Sequence, residues 1–150
     1  MIVIDTNALV ILIIGSMDTK LLKTHKRTSI YEESDYYDLL TVIGDINQLL
    51  VLPNVWTETD NLLNNFSGNY KYPYITTITS MIKSTYEKFV GSSVATECEY
   101  FLELGITDSL ILACAKDCDM LITSDSELSD YAIASNIKVY DMVKVRNERL

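Results

Sequence analysis

The chain has 150 residues, 48% of them hydrophobic, with only five glycines and two prolines. That predicts a single domain whose core needs neither disulfides nor a structural metal. Its 12 basic and 21 acidic residues give a formal charge of −9, which on average repels nucleic acid but leaves room for an acidic site that binds divalent cations.

Ile2 to Ile4 is a β-branched run ended by Asp5, the pattern of a buried strand in a parallel sheet. Thr6 or Asn7 is placed to cap a helix over Ala8 to Ile14, and Gly15 to end it. This apolar run is too short to span a bilayer, and no Lys or Arg precedes it. Neither a membrane span nor a signal peptide is expected, and a cytoplasmic location is. Ser16 to Ser34 reads as a polar connection, and Asp35 to Leu50 carries a helical period. Leu49 to Asn54 is a second strand halted by Pro53, followed by a helix in "VWTETDNLLNNF" with Asn54 or Thr57 as cap. A helix is predicted over Tyr74 to Phe89 and a short third strand around Val90 to Ala95. Glu97 to Leu104 is helical and stops at Gly105, after which Thr107 caps a helix reaching Lys116. "DMLITSD" is a strand, "SELSDYAIAS" a helix and "IKVYDM" a final strand. This alternation predicts an α/β/α sandwich on a central parallel sheet, with no repeat or linker dividing it.

The three cysteines form no CxxC pair. Cys114 and Cys118 share a helix face with Leu110 and Ile111, and read as small buried hydrophobes suited to a reducing compartment. With His25 the only histidine, structural zinc is not expected and His25 itself reads as a surface residue.

In open parallel sheets, ligands sit outside the carboxyl ends of the strands. Asp5 ends the first strand and Asp125 follows "MLIT"; Glu58 opens the helix after the second strand, and Asp108 lies in the first turn after Gly105. All four can converge on one sheet edge. Ordinary explanations exist for three of them. Asp108 complements a helix dipole, Ser124 and Glu127 make a capping box around Asp125, and Glu58, with Asp60 as a spare, could serve its own helix. Asp5 is harder to explain this way, because no cap needs a carboxylate between "IVI" and an apolar helix. Carboxylates crowded into one cleft repel each other unless cations neutralise them, and hard oxygen ligands suit Mg²⁺ or Mn²⁺. Such a cluster points to phosphoryl transfer or phosphodiester hydrolysis.

On "VIDTNALV", the acid in "VWTETDNLL", "LGITDSLILACA" and "LITSDSEL", in this order and over essentially the whole chain, the sequence resembles the PIN domain family of metal-dependent nucleases. The resemblance implies that Asp5, Glu58, Asp108 and Asp125 bind Mg²⁺ or Mn²⁺ and carry catalysis. It implies that Asn7 orients the first Asp, with Ser124 and Glu127 in support. The implied reaction is hydrolysis of RNA phosphodiesters. Small members are commonly the toxin of a toxin–antitoxin pair, inhibited by an antitoxin protein in the acidic cleft, and often form a homodimer. Ser16 to Ser34 matches no family motif. Glu58 and Asp60, pointing about 200° apart on a helix, compete for the second acidic position.

"KLLKTHKR" is the one dense basic patch. Lys20, Lys23, Lys26 and Arg27 are candidate contacts to RNA phosphates beside the acidic edge, against the alternative of a solvated face. Tyr31, Tyr36, Tyr37, Tyr70, Tyr72 and Tyr74 lie in or near connections where some could stack on bases, though packing accounts for most. Three rival functions stand beside the nuclease. A magnesium-dependent phosphatase of the haloacid-dehalogenase type needs a second Asp where this chain has Asn7. A response-regulator receiver needs an adjacent acidic pair near the first strand and a late Lys. A PIN-like module that binds RNA or protein without cutting would not need all four acids.

Overall fold

Short apolar runs and one edge dipeptide supply the strands: β1 (Ile2–Ile4), β2 (Leu49–Val51), β3 (Tyr86–Glu87), β4 (Met120–Thr123) and β5 (Val139–Asp141). In the computed structural model, which describes Met1–Leu150, they form one sheet of order β3-β2-β1-β4-β5 with every pair parallel. The inner strands are nearly continuous Val, Ile and Leu, as a sheet covered on both faces requires.

The helices are α1 (Thr6–Met17), α2 (Leu21–Thr24), α3 (Glu33–Ile43), α4 (Pro53–Leu63), α5 (Lys71–Ser84), α6 (Ser93–Thr96), α7 (Phe101–Ala115), α8 (Ser126–Ala134) and α9 (Met142–Glu148). They sort into two packing groups. One is centred on α1, which touches α2, α3, α4 and α5; the other on α7, which touches α6, α8 and β1. Enclosure explains why α1 is apolar nearly all round: every residue from Ala8 to Gly15 is buried. No helix is long and apolar enough to cross a membrane.

Topology positions the site. From central β1 the chain builds β2 and β3 on one side, then crosses to build β4 and β5 on the other. The strand order therefore reverses between β1 and β4, and crevices open at the carboxyl ends of such a pair.

Several boundaries differ from the sequence-based expectations, each for a local reason. Gly15 does not end α1, which continues to Met17. A side chain there would collide with Tyr36 of α3, since a Cβ would lie 2.2 Å from its Cδ1. The Tyr36 hydroxyl also shares a 2.9 Å hydrogen bond with Ser16 Oγ. α3 stops at Gly44 (φ 71°) instead of running to Leu50. Pro53 is the first residue of α4, where its missing N–H costs nothing, so neither Asn54 nor Thr57 is the cap. α5 spans Lys71–Ser84 and the third strand comes early, at Tyr86–Glu87; part of the expected strand Val90 to Ala95 is helix α6. The helix expected from Glu97 begins at Phe101, and α7 is broken at Gly105 (φ 76°, ψ −168°), where the stop was expected. The connection Ser16 to Ser34 holds α2 and the buried residues Thr28 and Tyr31. α9 is a terminal helix that the strand pattern did not reveal.

Candidate functional site

After three strands an Asp caps the following helix: Asp5 directly after β1, Asp125 two residues past β4, and Asp141 as the last residue of β5. Asp5, in extended backbone (φ −85°, ψ 172°), accepts the Ala8 N–H through Oδ1 at 2.8 Å. Asp125 Oδ1 accepts the N–H groups of Glu127 and Leu128 at 2.9 and 3.1 Å. Asp141 Oδ1 accepts those of Val143 and Lys144 at 3.0 and 3.1 Å. Two expectations are corrected by this. Asp5, not Thr6 or Asn7, caps α1, so its carboxylate does have a capping role. Asp125, not Ser124, caps α8, so no Ser124–Glu127 capping box forms. Each Asp uses one oxygen as the cap, and the other oxygen is what distinguishes them. Asp5 Oδ2 accepts the buried Thr123 hydroxyl, and that hydroxyl accepts the Asp125 N–H at 2.9 Å. Thr123 thus ties the acid after β1 to the acid after β4. Asp141 Oδ2 is buried with no hydrogen-bond partner.

Asp5, Glu58, Asp108 and Asp125 line one cleft of about 330 Å³ with Thr6, Asn7, Asn61 and Leu62. The four acids reach it from β1, α4, α7 and α8, and no Lys or Arg is in the lining. Glu58 is held from two sides: Thr6 Oγ1 donates to Oε2 and Thr107 Oγ1 to Oε1, both at 2.7 Å. The helical backbone resumes after Gly105, so Thr107 sits inside the first turn, its hydroxyl serving Glu58 and not a cap. Asp60 is turned away; it accepts the Tyr74 hydroxyl at 2.6 Å and lines a separate depression with Trp56, Ile78 and Ile82. Of the two competing acids, only Glu58 faces the cleft.

Burial and neighbouring acids shift two of the four. Burial, reinforced by the charges of Asp125, Asp5, Glu58 and Glu127, pushes Asp108 up to about 7. Burial also raises Asp5 to about 6, with Asp125 adding to it and the Thr123 and Ala8 donors opposing it.

Whether a divalent cation suits this cleft divides into chemistry and geometry. All four groups are hard oxygen donors, the class that Mg²⁺ and Mn²⁺ take. Yet no group of three or more His, Cys, Asp or Glu side chains is set to hold a metal ion. The hydrogen bonds supply a reason, since Glu58 is engaged through both oxygens by Thr6 and Thr107, and Asp5 by Ala8 and Thr123. The donor set fits; a ready-made cage is absent.

Among the supporting candidates, Asn7 is exposed and lines the cleft. Ser124 lies outside the lining, beside Tyr31, whose phenol burial pushes up to about 12. Glu127 is exposed but near enough to act on Asp108. None of the four cations of the basic segment lines the cleft. Lys20 and Lys23 border another depression with Glu32 and Glu33, and Lys23 pairs with Glu32 at 3.4 Å. Lys26 and Arg27 follow His25, which is half-buried at the surface; its ring centroid lies 5.5 Å from that of Phe66. Burial, then these two cations, lower the His25 pKa. Tyr31, Tyr36 and Tyr74 are core residues, whereas Tyr37, Tyr70 and Tyr72 are exposed. Cys114 is buried as expected, while Cys118 is only half-buried.

Sequence reasoning did not name Thr6, Asn61, Leu62, Thr107 or Thr123 as site residues, reading Thr6 and Thr107 only as caps. A signal was present for three of them: Thr6 and Thr107 are chain neighbours of Asp5 and Asp108, and Thr123 ends the strand before Asp125. Hydroxyls beside such acids can donate to carboxylates without adding charge. No family model and no curated protein compared with this chain matches it.

Proposed function

We propose that the protein is a PIN-like ribonuclease that hydrolyses RNA phosphodiesters with Mg²⁺ or Mn²⁺. The observation that carries the proposal is the meeting of four acids in one cleft at the strand-order reversal, where burial and then the charges of the other three raise the pKa of Asp108. Asp5, Glu58, Asp108 and Asp125 would hold the metal. When bound, the ion would polarise the phosphate and help activate the attacking water. Thr6 and Thr107 orient Glu58, and Thr123 orients Asp5, so the acids are set by neutral donors. With no Lys or Arg in the lining, the acids have no protein cation to neutralise them, which makes a bound metal the natural counter-charge. The resemblance extends the proposal to the toxin of a toxin–antitoxin pair, with the antitoxin covering this cleft. It also extends to a homodimer in the cytoplasm.

A second reading has one observation in its favour. Because no group of acids is set to hold a metal, a PIN-like module that binds without cutting is the alternative. Incubating labelled single-stranded RNA with the protein decides between them. Cleavage is expected with Mg²⁺ or Mn²⁺ and not in EDTA. Asp5→Asn or Asp108→Asn should slow it by about a hundredfold or more, at least matching the loss of an outer-shell partner. Undiminished cleavage in EDTA would exclude the metal mechanism, and RNA binding without cleavage would favour the module.

A further inference from the structure

We infer that the depression between α4 and α5 is a nucleobase subsite, adjoining the acidic cleft at Asn61 and taking the base of a nucleotide next to the scissile phosphate. This inference rests on the ribonuclease reading above. The depression has a volume of about 320 Å³ and is lined by Trp56, Thr57, Asp60, Asn61, Ile78 and Ile82. Asn61 also lines the acidic cleft, so the two hollows share a wall. Glu58 and Asn61 stand three residues apart on α4, which makes them neighbours on one helix face. A strand whose phosphate lies at the acids therefore meets the Asn61 amide as it leaves them in this direction.

A second depression adjoins the cleft at Glu58 and is lined by Pro53, Asn54, Thr57 and Thr107 besides. Neither depression has a Lys or Arg in its lining, so neither is built to grip a phosphate. What separates them is the character of their walls. The depression at Glu58 has no aromatic or branched aliphatic side chain, whereas the one at Asn61 has three. Trp56 and Ile78 are each 7% exposed and form its floor; Ile82, at 42%, is the rim.

Apolar walls with a few polar groups are what a small flat ligand with a polar edge requires. A nucleobase is such a ligand, and unstacked bases are held by an aromatic or apolar face together with hydrogen bonds to their edges. The Asn61 amide can both donate and accept. Asp60 is held through Oδ1 by the Tyr74 hydroxyl at 2.6 Å, and its second oxygen can accept from a base amino group, as carboxylates do from cytosine. A buried indole N–H ordinarily has a partner, yet Trp56 Nε1 is buried with none. A base carbonyl or ring nitrogen that reached it would remove a cost that the free protein carries. An apolar surface from a second copy of the chain would fill the walls but would leave these polar groups without partners.

Trp56 is the only tryptophan of the chain, so its indole N–H gives one resonance in a proton–nitrogen correlation spectrum and reports on this depression alone. Adenosine and cytidine, titrated in EDTA, should shift that resonance to saturation in wild type and in Asp108→Asn, and ribose 5-phosphate should not. Ile82→Glu puts a charge on the exposed rim and should abolish the shift while melting close to wild type. Asn61→Leu keeps the bulk, loses the amide and should weaken nucleoside binding about tenfold. In cleavage of intact RNA, both variants should raise KM about tenfold with kcat little changed. Nucleosides that leave the indole unmoved, that move it equally in Ile82→Glu, or that move it no more than ribose 5-phosphate does would overturn the subsite. So would a shift that grows with protein concentration alone and is lost in Ile82→Glu, which is the outcome for a contact between copies. If wild type cleaves no RNA, the ribonuclease reading fails instead; the nucleoside titration needs neither metal nor cleavage and still decides the subsite.

Discussion

At the scale of single residues, the helix caps do not explain the charges they carry. Asn caps a helix about as well as Asp, so the capping bonds of Asp5 and Asp125 could be made without a carboxylate. Asp108 is not a cap at all, and burial among other acids raises it from 3.8 to about 7. Below about pH 4 the folded and unfolded states both hold its proton, and its contribution to stability is fully present. Between about pH 4 and 7 only the folded state keeps the proton, so stability falls as pH rises through the folded value. Asp108→Asn lacks this titration. In EDTA, its melting temperature should fall less than that of wild type as pH is raised from about 4 to 8, and it should melt higher than wild type at the upper end. The raised pKa of Asp5 slopes the same way, but Asp5 is present in both proteins and largely cancels from the difference. A variant that melts lower than wild type at about pH 8 would mean that dipole compensation in the first turn outweighs the repulsion.

At the scale of elements, Gly15 shows how packing overrides a local signal. A glycine after an apolar helix reads as a stop, but here it admits the Tyr36 ring and the helix runs on. Gly15→Ala should gain up to about 1 kcal/mol of helix propensity and lose roughly 1–3 kcal/mol to overpacking against a buried ring. Net destabilisation is expected in urea denaturation; a more stable variant would show that Tyr36 moves aside cheaply. The same contrast governs what was legible in the sequence. β1, β2, β4 and β5 could be found because their short apolar runs end at polar or Pro punctuation. β3 could not, because Tyr86–Glu87 is two residues long and the helical period of α5 continues past it to Phe89. The four acids were legible from their places after strands and at helix starts. That Thr6 and Thr107 serve Glu58 was not, although both neighbour acids in sequence, because these contacts join positions far apart in the chain. The direction of Asp60 likewise depends on Tyr74, a contact between two helices.

At the scale of the whole molecule, charge is distributed against the usual form of RNA binding. The chain carries −9 overall, the cleft lining has no cation, and Lys23 is paired with Glu32 away from it. Proteins that grip phosphates with Lys and Arg release counterions, and their affinity falls steeply with salt, with a slope near −0.9 per neutralised phosphate on duplex DNA and about −0.7 on single strands. If the RNA phosphate approaches this cleft through divalent ions, few monovalent counterions are released by the protein itself. Added salt also screens the general repulsion between an acidic protein and RNA. Binding of a short single-stranded RNA at fixed Ca²⁺ should therefore vary weakly with NaCl, with a log–log slope of magnitude below about 1. Binding should be nearly lost in EDTA at every salt concentration. The quadruple change of Lys20, Lys23, Lys26 and Arg27 to Gln should leave that slope almost unaltered. A wild-type slope of about −3 that the quadruple change flattens would mean that the basic segment grips RNA phosphates after all. The substrate path would then have to run from the acidic cleft to the surface beside α2.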